Sequence, residues 1–185
     1  MECLKDGGII VYPTDTIYGL GCDIMQHRSV ERICKIKKVD SHKAQLSFIC
    51  SDLGNLSLYT KSIDTPLYRV MKSYLPGPFT FILPASKQVP KILQSNKKTI
   101  GLRVPDNVIC RHILGALGNP ILSASLPGEM VEDYTDPETI NEKIGNQVDM
   151  VIDGGTGGMV PSTIIDCTTS EWAITRQGLG EIIFE

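Results

Sequence analysis

At 185 residues, 42% of them hydrophobic, the chain can fill one good core but is short for two ordinary domains, so a single domain over residues 1–185 is expected. A net charge of −3 and a pI near 5.6 exclude a broadly basic surface with a general pull toward nucleic acid or anionic membrane, which makes any anion site local. No apolar run approaches the roughly 20 residues that span a bilayer, and no charged start with an apolar run and cleavage site opens the chain, so a soluble cytoplasmic protein with no membrane partner is expected.

Apolar runs bounded by Gly and Pro alternate with helical patterns along the chain. GIIVYP (8–13) reads as a strand, residues 29–38 as a helix and LSFIC (46–50) as a second strand. Thr65 and Pro66 then open a helix whose Leu67, Val70, Met71 and Tyr74 keep helical spacing until Pro76 stops it. FTFILP (79–84) and TIGLRVP (99–105) are strands, followed by a helix from Asp106 or Asn107, through Ile109, Cys110, Ile113, Leu114 and Leu117, to Gly118. ILSASLP (121–127) is a strand, 136–144 a helix, and DMVIDG (149–154), STIIDC (162–167) and WAITR (172–176) are strands. The mixture of interleaved helices and adjacent strands predicts an α/β fold of the α+β type, a mixed sheet covered by helices.

Six scattered cysteines with no C-x-x-C pair read as buried free thiols, and three separated histidines offer no metal-ligand spacing, so no protein-held metal is expected. On the strand from Thr99, alternation puts Ile100, Leu102 and Val104 on one side and Thr99, Gly101 and Arg103 on the other. A hydroxyl and a guanidinium thus flank a position with no side chain, a shallow slot with a carboxylate-binding fork; the plainer account is an arginine snorkelling off a sheet edge. Ser123 and Ser125 share one face of their strand, lining a polar cleft or bonding each other and nearby backbone. Lys37 falls on the buried side of its helix with Val30, Ile33 and Cys34, facing the sheet, while Lys35 and Lys38 face solvent. Basic residues at a helix C-terminus suit both the dipole and a phosphate. DGGTGGMVPST (153–163) is Gly-rich enough to present amides to an anion, or is a simple strand connection; it lacks the G-K-[ST] ending of a Walker A loop. No Ser/His/Asp, Cys/His or acid-pair arrangement is recognisable, which favours chemistry by positioning and charge stabilisation.

GGIIVYPTDTIYGLG (7–21) closely resembles the signature of the YrdC/YciO family, which includes the threonylcarbamoyl-AMP synthases. LPGPFTFIL (75–83), IGLRVP (100–105), PILSAS (120–125), PSTIID (161–166) and TRQGLG (175–180) are similar to further family segments, so the resemblance covers nearly the whole chain. ICKIKKV, SFICSDL and GNPILSASLPG resemble the YciO branch most. The resemblance implies a twisted mixed sheet enclosing a basic concave pocket. It also implies an activity, the joining of L-threonine, bicarbonate and ATP into threonylcarbamoyl-AMP with loss of pyrophosphate, on the way to N6-threonylcarbamoyladenosine in tRNA. Magnesium would accompany the triphosphate. By the same resemblance L-threonine falls to Thr16, Thr99, Arg103, Ser123 and Ser162. ATP falls to Lys37, Lys43, the Ala124 backbone, Ser125, Thr135 and Arg176, with Lys37, Arg103 and Ser123 in the catalytic role.

Two positions depart from the synthase pattern. Val39 stands where a K-x-R motif would place arginine, and Ser125 where S-x-N would place asparagine. A paralogue with a retuned nucleotide site is therefore one outcome, and a non-catalytic protein binding double-stranded RNA or acting with the translation machinery is the rival. The acidic net charge speaks against the rival, since RNA binding by shape needs a broad basic surface.

Overall fold

The computed structural model describes residues 1–39, 46–90, 93, 98–127 and 134–183. Within them nine strands form one sheet: β1 (Ile10–Tyr12), β2 (Gly19–Asp23), β3 (Ser47–Ile49), β4 (Phe79–Pro84), β5 (Thr99–Arg103), β6 (Ile121–Ser125), β7 (Met150–Val151), β8 (Thr163–Asp166) and β9 (Ala173–Arg176). Their order is β7-β1-β2-β6-β3-β5-β4-β8-β9, with β1/β7, β3/β5 and β4/β8 parallel and the other pairs antiparallel. The mixed sheet is as the sequence predicts, and each of the eight expected strands is present, most of them trimmed at the ends.

The ninth strand, β2, reads GLGCD, a poor strand sequence by propensity. It forms because it sits between β1 and β6 and its glycines are needed there: a Cβ on Gly21 would lie 2.6 Å from the Ile121 side chain and 2.8 Å from the Tyr12 ring.

Among the described residues six α-helices flank the sheet: α1 (Glu2–Lys5), α2 (His27–Lys37), α3 (Leu53–Ser57), α4 (Thr65–Tyr74), α5 (Val108–Leu117) and α6 (Pro137–Ile144). Four begin on an acceptor side chain, Asp52, Asp64, Asn107 and Asp136, that takes the backbone N–H three residues on; such a cap contributes about 1 kcal/mol. Helix α5 ends at Gly118 in the left-handed region (φ 78°), as expected, whereas α2 ends on left-handed Lys38 (φ 54°).

Pleat alternation sorts the sheet into two faces. One carries Val11, Leu20, Phe48, Phe81, Leu102 and Leu122 into the main core, against Val30 and Ile33 of α2, Leu67 and Met71 of α4, and Ile140 of α6. Fully buried Phe48 and Phe81 each contribute about 1.5–3 kcal/mol by leaving water. The other face packs Ile10, Tyr12, Ile49 and Ile121 under Leu4 of α1 and Cys110, Ile113, Leu114 and Leu117 of α5. Those two helices cover one half of it. The rest of this face carries the polar side chains. Five cysteines are buried and Cys3 is half-buried, and all six are free thiols. Among the described residues no helix is long and apolar enough to cross a membrane.

Candidate functional site

The polar face is built by register. Arg103 ends β5 on the side opposite Leu102, with Gly101 and Thr99 on its own side, and the pairing Ser47↔Gly101 and Ser47↔Ser123 carries that side across β3 to β6. Beyond it, Gly21 pairs Ser123 and Gly19 pairs Ser125, so a band of serines and glycines runs across the middle of the sheet. On the other flank Thr80 of β4 bonds Ser162, just before β8, hydroxyl to hydroxyl at 2.9 Å. With a Cβ on Gly101 only 3.3 Å from Thr80 and 3.2 Å from Ser47, the floor here is main chain.

Arg103 is 7% exposed and held from the β1–β2 connection. Its Nη2 donates to the Thr16 hydroxyl at 2.8 Å and to Asp15, whose second oxygen accepts the Asp106 N–H at 3.1 Å. Thr16 is in turn fixed by Thr14, which accepts the Thr16 N–H at 3.0 Å and donates to the Ile17 carbonyl at 2.7 Å. The PTDT segment is thus a clamp on one edge of the guanidinium. The neighbouring donor on that edge differs: Arg103 Nε is buried and has no hydrogen-bond partner among the described residues. A buried unpaired donor costs about 1–3 kcal/mol, more when charged.

Arg176 on β9 donates through Nε and Nη2 to the Ser162 carbonyl at 3.1 and 2.7 Å and through Nη2 to the Ser162 hydroxyl at 3.2 Å. Burial, and behind it the like charge of Arg103, pull its guanidinium below the ordinary arginine value, so the two cations sense each other. At the end of β6, Lys37 of α2 donates to the Ser125 carbonyl at 2.7 Å and hydroxyl at 2.9 Å; burial depresses its pKa. A chain of net charge −3 therefore brings two guanidinium groups together on this face, with Asp15 against Arg103, a local field suited to anions, while Lys37 reaches the end of β6 from α2 on the opposite side of the sheet.

The residues picked from sequence fall into place unevenly. Arg103 and Thr16 touch directly, without a gap between them, and Ser162 and Arg176 form a second group. Ser123 bonds Tyr12, and Ser125 bonds Lys37. Thr99 shares Arg103's face but stands four residues back along β5, roughly 13 Å. Ala124 turns its side chain into the main core. Lys43 and His42 lie outside the described residues. Thr135 accepts the Gly157 N–H at 2.7 Å and Thr16 the Gly158 N–H at 2.8 Å, each through its carbonyl, so both are sewn to the Gly-rich loop. In that loop Gly154 N–H goes to the Tyr18 hydroxyl and Gly155 N–H to Asp153. With these amides engaged the loop is a strand connection, the plainer of its two accounts.

Sequence reading missed Tyr12, Asp15 and Thr80. A carboxylate between two threonines and a lone hydroxyl in an apolar strand were the available signals. A surface hollow of about 320 Å³ between α2 and the 3-10 turn at Gly145–Gln147, lined by Arg32, Lys35, Ile36 and Gln147, shares no residue with this face. Among the described residues there is no group of three or more His, Cys, Asp or Glu side chains that could hold a metal ion.

The family model Sua5_yciO_yrdC, described as "Telomere recombination", matches residues 2–178. The chain is 44% identical to "Uncharacterized protein YciO" of Escherichia coli (strain K12), over 98% of this chain and 88% of that one. The crystal structure of E. coli YciO matches with a TM-score of 0.89 at 42% identity, covering 97% of this chain and 87% of that one. A "Threonylcarbamoyl-AMP synthase" of Coxiella burnetii is 34% identical over 92% of each chain. P. abyssi Sua5 complexed with L-threonine gives a TM-score of 0.87 at 27% identity, covering 96% of this chain and 52% of that one.

Proposed function

The chain belongs to the Sua5/YciO/YrdC family, and from that premise we propose that its polar face condenses L-threonine, bicarbonate and ATP to threonylcarbamoyl-AMP and pyrophosphate. The observation that carries this reading is Arg103: one edge of its guanidinium is clamped by Asp15 and Thr16, and the Nε–H beside it lacks an acceptor. A ligand carboxylate oxygen supplies that acceptor, and a charge-assisted bond of this kind contributes about 1.5–3 kcal/mol. The relative that carries L-threonine in its crystal structure supports an amino acid as the ligand.

In this reading the threonine carboxylate lies on Arg103, with Thr16, Ser123 and Ser162 around it and Thr99 at the far end of the slot. The threonine amine attacks the bicarbonate carbon and water leaves, giving a carbamate whose oxygen attacks the α-phosphorus of ATP as the bond to pyrophosphate breaks. Lys37 and Arg176, with Lys43, neutralise the charge that builds on the departing pyrophosphate. Ser125, Thr135 and the Ala124 main chain serve the nucleotide. The product would feed threonylcarbamoylation of tRNA adenosine.

The test is pyrophosphate release by the purified protein from ATP, with L-threonine and bicarbonate omitted in turn. Release that requires both is expected. Release indifferent to either, or none with all three present, sinks the proposal.

A further inference from the structure

Tyr12 is wholly buried at the end of β1, its ring laid over two glycines of β2. A Cβ on Gly19 would come within 3.2 Å of that ring and one on Gly21 within 2.8 Å, so the ring fits only because both positions lack side chains. Its hydroxyl lies 2.7 Å from Ser123 Oγ, a contact between residues 111 apart in sequence. Among the described residues neither hydroxyl has another side-chain or backbone partner.

That isolation decides the direction of the bond. A phenol carries one hydrogen, and if Ser123 donated to Tyr12, the phenol hydrogen would be buried without an acceptor. Either direction leaves one hydroxyl hydrogen over, and the wholly buried phenol has nowhere else to place its own, whereas Ser123, 7% exposed, stands on the polar face. Tyr12 therefore donates and Ser123 accepts. Burial drives the Tyr12 ionisation far upward, so the phenol keeps its hydrogen at any pH the fold tolerates. Ser123 is then left with its own hydrogen unspent, on a strand face where the Gly21 side is filled by the Tyr12 ring and the β3 side carries only the small Ser47.

We propose that Tyr12 is a positioning residue: by filling the acceptor side of Ser123 Oγ from over Gly19 and Gly21, it turns Ser123 into a committed hydrogen donor toward an acceptor oxygen of the bound ligand. This rests on the reading of the face as an L-threonine site and adds to it a division of labour. The carboxylate is drawn by Arg103, while Ser123 is polarised to give a hydrogen to one oxygen of the amino acid or its carbamate.

Calorimetric titration of L-threonine into wild type, Tyr12→Phe, Ser123→Ala and Tyr12→Phe/Ser123→Ala tests it. Phe keeps the ring over the glycines and removes the donor. Tyr12→Phe is expected to weaken binding roughly three- to ten-fold, the effect of one hydrogen bond. In the Ser123→Ala background the same change should cost nothing further, because Tyr12 acts through Ser123; a loss arising from general damage to the fold would persist there. Ser123→Cys, which leaves Tyr12 an acceptor but is a weak donor itself, provides a second variant and should show a comparable loss. Wild-type affinity in Tyr12→Phe or in Ser123→Cys, or an equal penalty in both backgrounds, overturns the inference while leaving the threonine reading intact. A wild-type protein that binds no L-threonine overturns both.

Discussion

Asp15→Ala removes the carboxylate that faces a buried guanidinium. The Asp15 and Arg103 side chains are 10% and 8% exposed, and Asp15 also accepts the Asp106 N–H, so the variant leaves a desolvated charge and an amide without their partner. Breaking a pair of this burial by deleting one member costs about 3–5 kcal/mol. An internal control exists in Arg111–Asp106, the same chemistry at 52% and 65% exposure, where solvent screening reduces the worth of the pair to about 0–1 kcal/mol. With a urea slope of about 2 kcal/mol/M, Asp15→Ala should lower the unfolding midpoint by roughly 1.5–2.5 M and Arg111→Ala by less than about 0.5 M. Asp15→Ala/Arg103→Ala should lose much less than the sum of its single variants, since it strands no charge, yet it should bind no L-threonine. Equal small shifts for Asp15→Ala and Arg111→Ala, or an additive double variant, would refute the argument that burial sets the worth of this pair.

Other consequences are measurable. Burial protects Cys22, Cys34, Cys50, Cys110 and Cys167, so a thiol reagent at neutral pH should modify Cys3 alone, slowly, and all six after denaturation. Burial pushes the thiols of Cys22, Cys110 and Cys167 up to about 12 from an ordinary value of 9.0, so between those values the unfolded chain binds fewer protons than the fold. Stability should therefore fall as pH rises from about 9 toward 12, and Cys22→Ala should flatten that slope in urea midpoints taken at stepped pH. Gly21→Ala drives a methyl against Ile121, Tyr12 and the Leu122 carbonyl and should cost about 1–3 kcal/mol. Gly115→Ala, on α5 with nothing within 4 Å of the new methyl, should gain about 0.5–1 kcal/mol. Thermal melts of the two variants moving in the same direction would contradict the packing described.

What could be read from sequence was whatever period and punctuation record. Alternation in TIGLR and ILSAS placed Arg103 and Ser123 on the right face of their strands, and helical spacing turned Lys37 toward the sheet, because those patterns are local. Strand β2 escaped because its reason is tertiary: two glycines that disfavour a strand in isolation make room for a tyrosine from β1. Asp15 escaped for a similar reason. A carboxylate in a short connection looks like turn chemistry until the fold brings it to a guanidinium 88 residues away. The Gly-rich loop shows the opposite case, in which a composition suited to holding an anion spends its amides on Tyr18, Asp153, Thr135 and Thr16.

The ties that shape the polar face span the chain: 111 residues for Tyr12 to Ser123, 87 for Arg103 to Thr16, 88 for Lys37 to Ser125 and 82 for Thr80 to Ser162. Each closes a long loop whose entropy is lost before the contact returns anything, so the face exists only when nearly the whole sheet has zipped. Any ligand that binds there is therefore a ligand of the complete fold and of no fragment of it. At 100 times its dissociation constant it would add about 2.7 kcal/mol to the stability of the native state. Supply of the small molecule would then set how much of the protein survives as well as how fast it works.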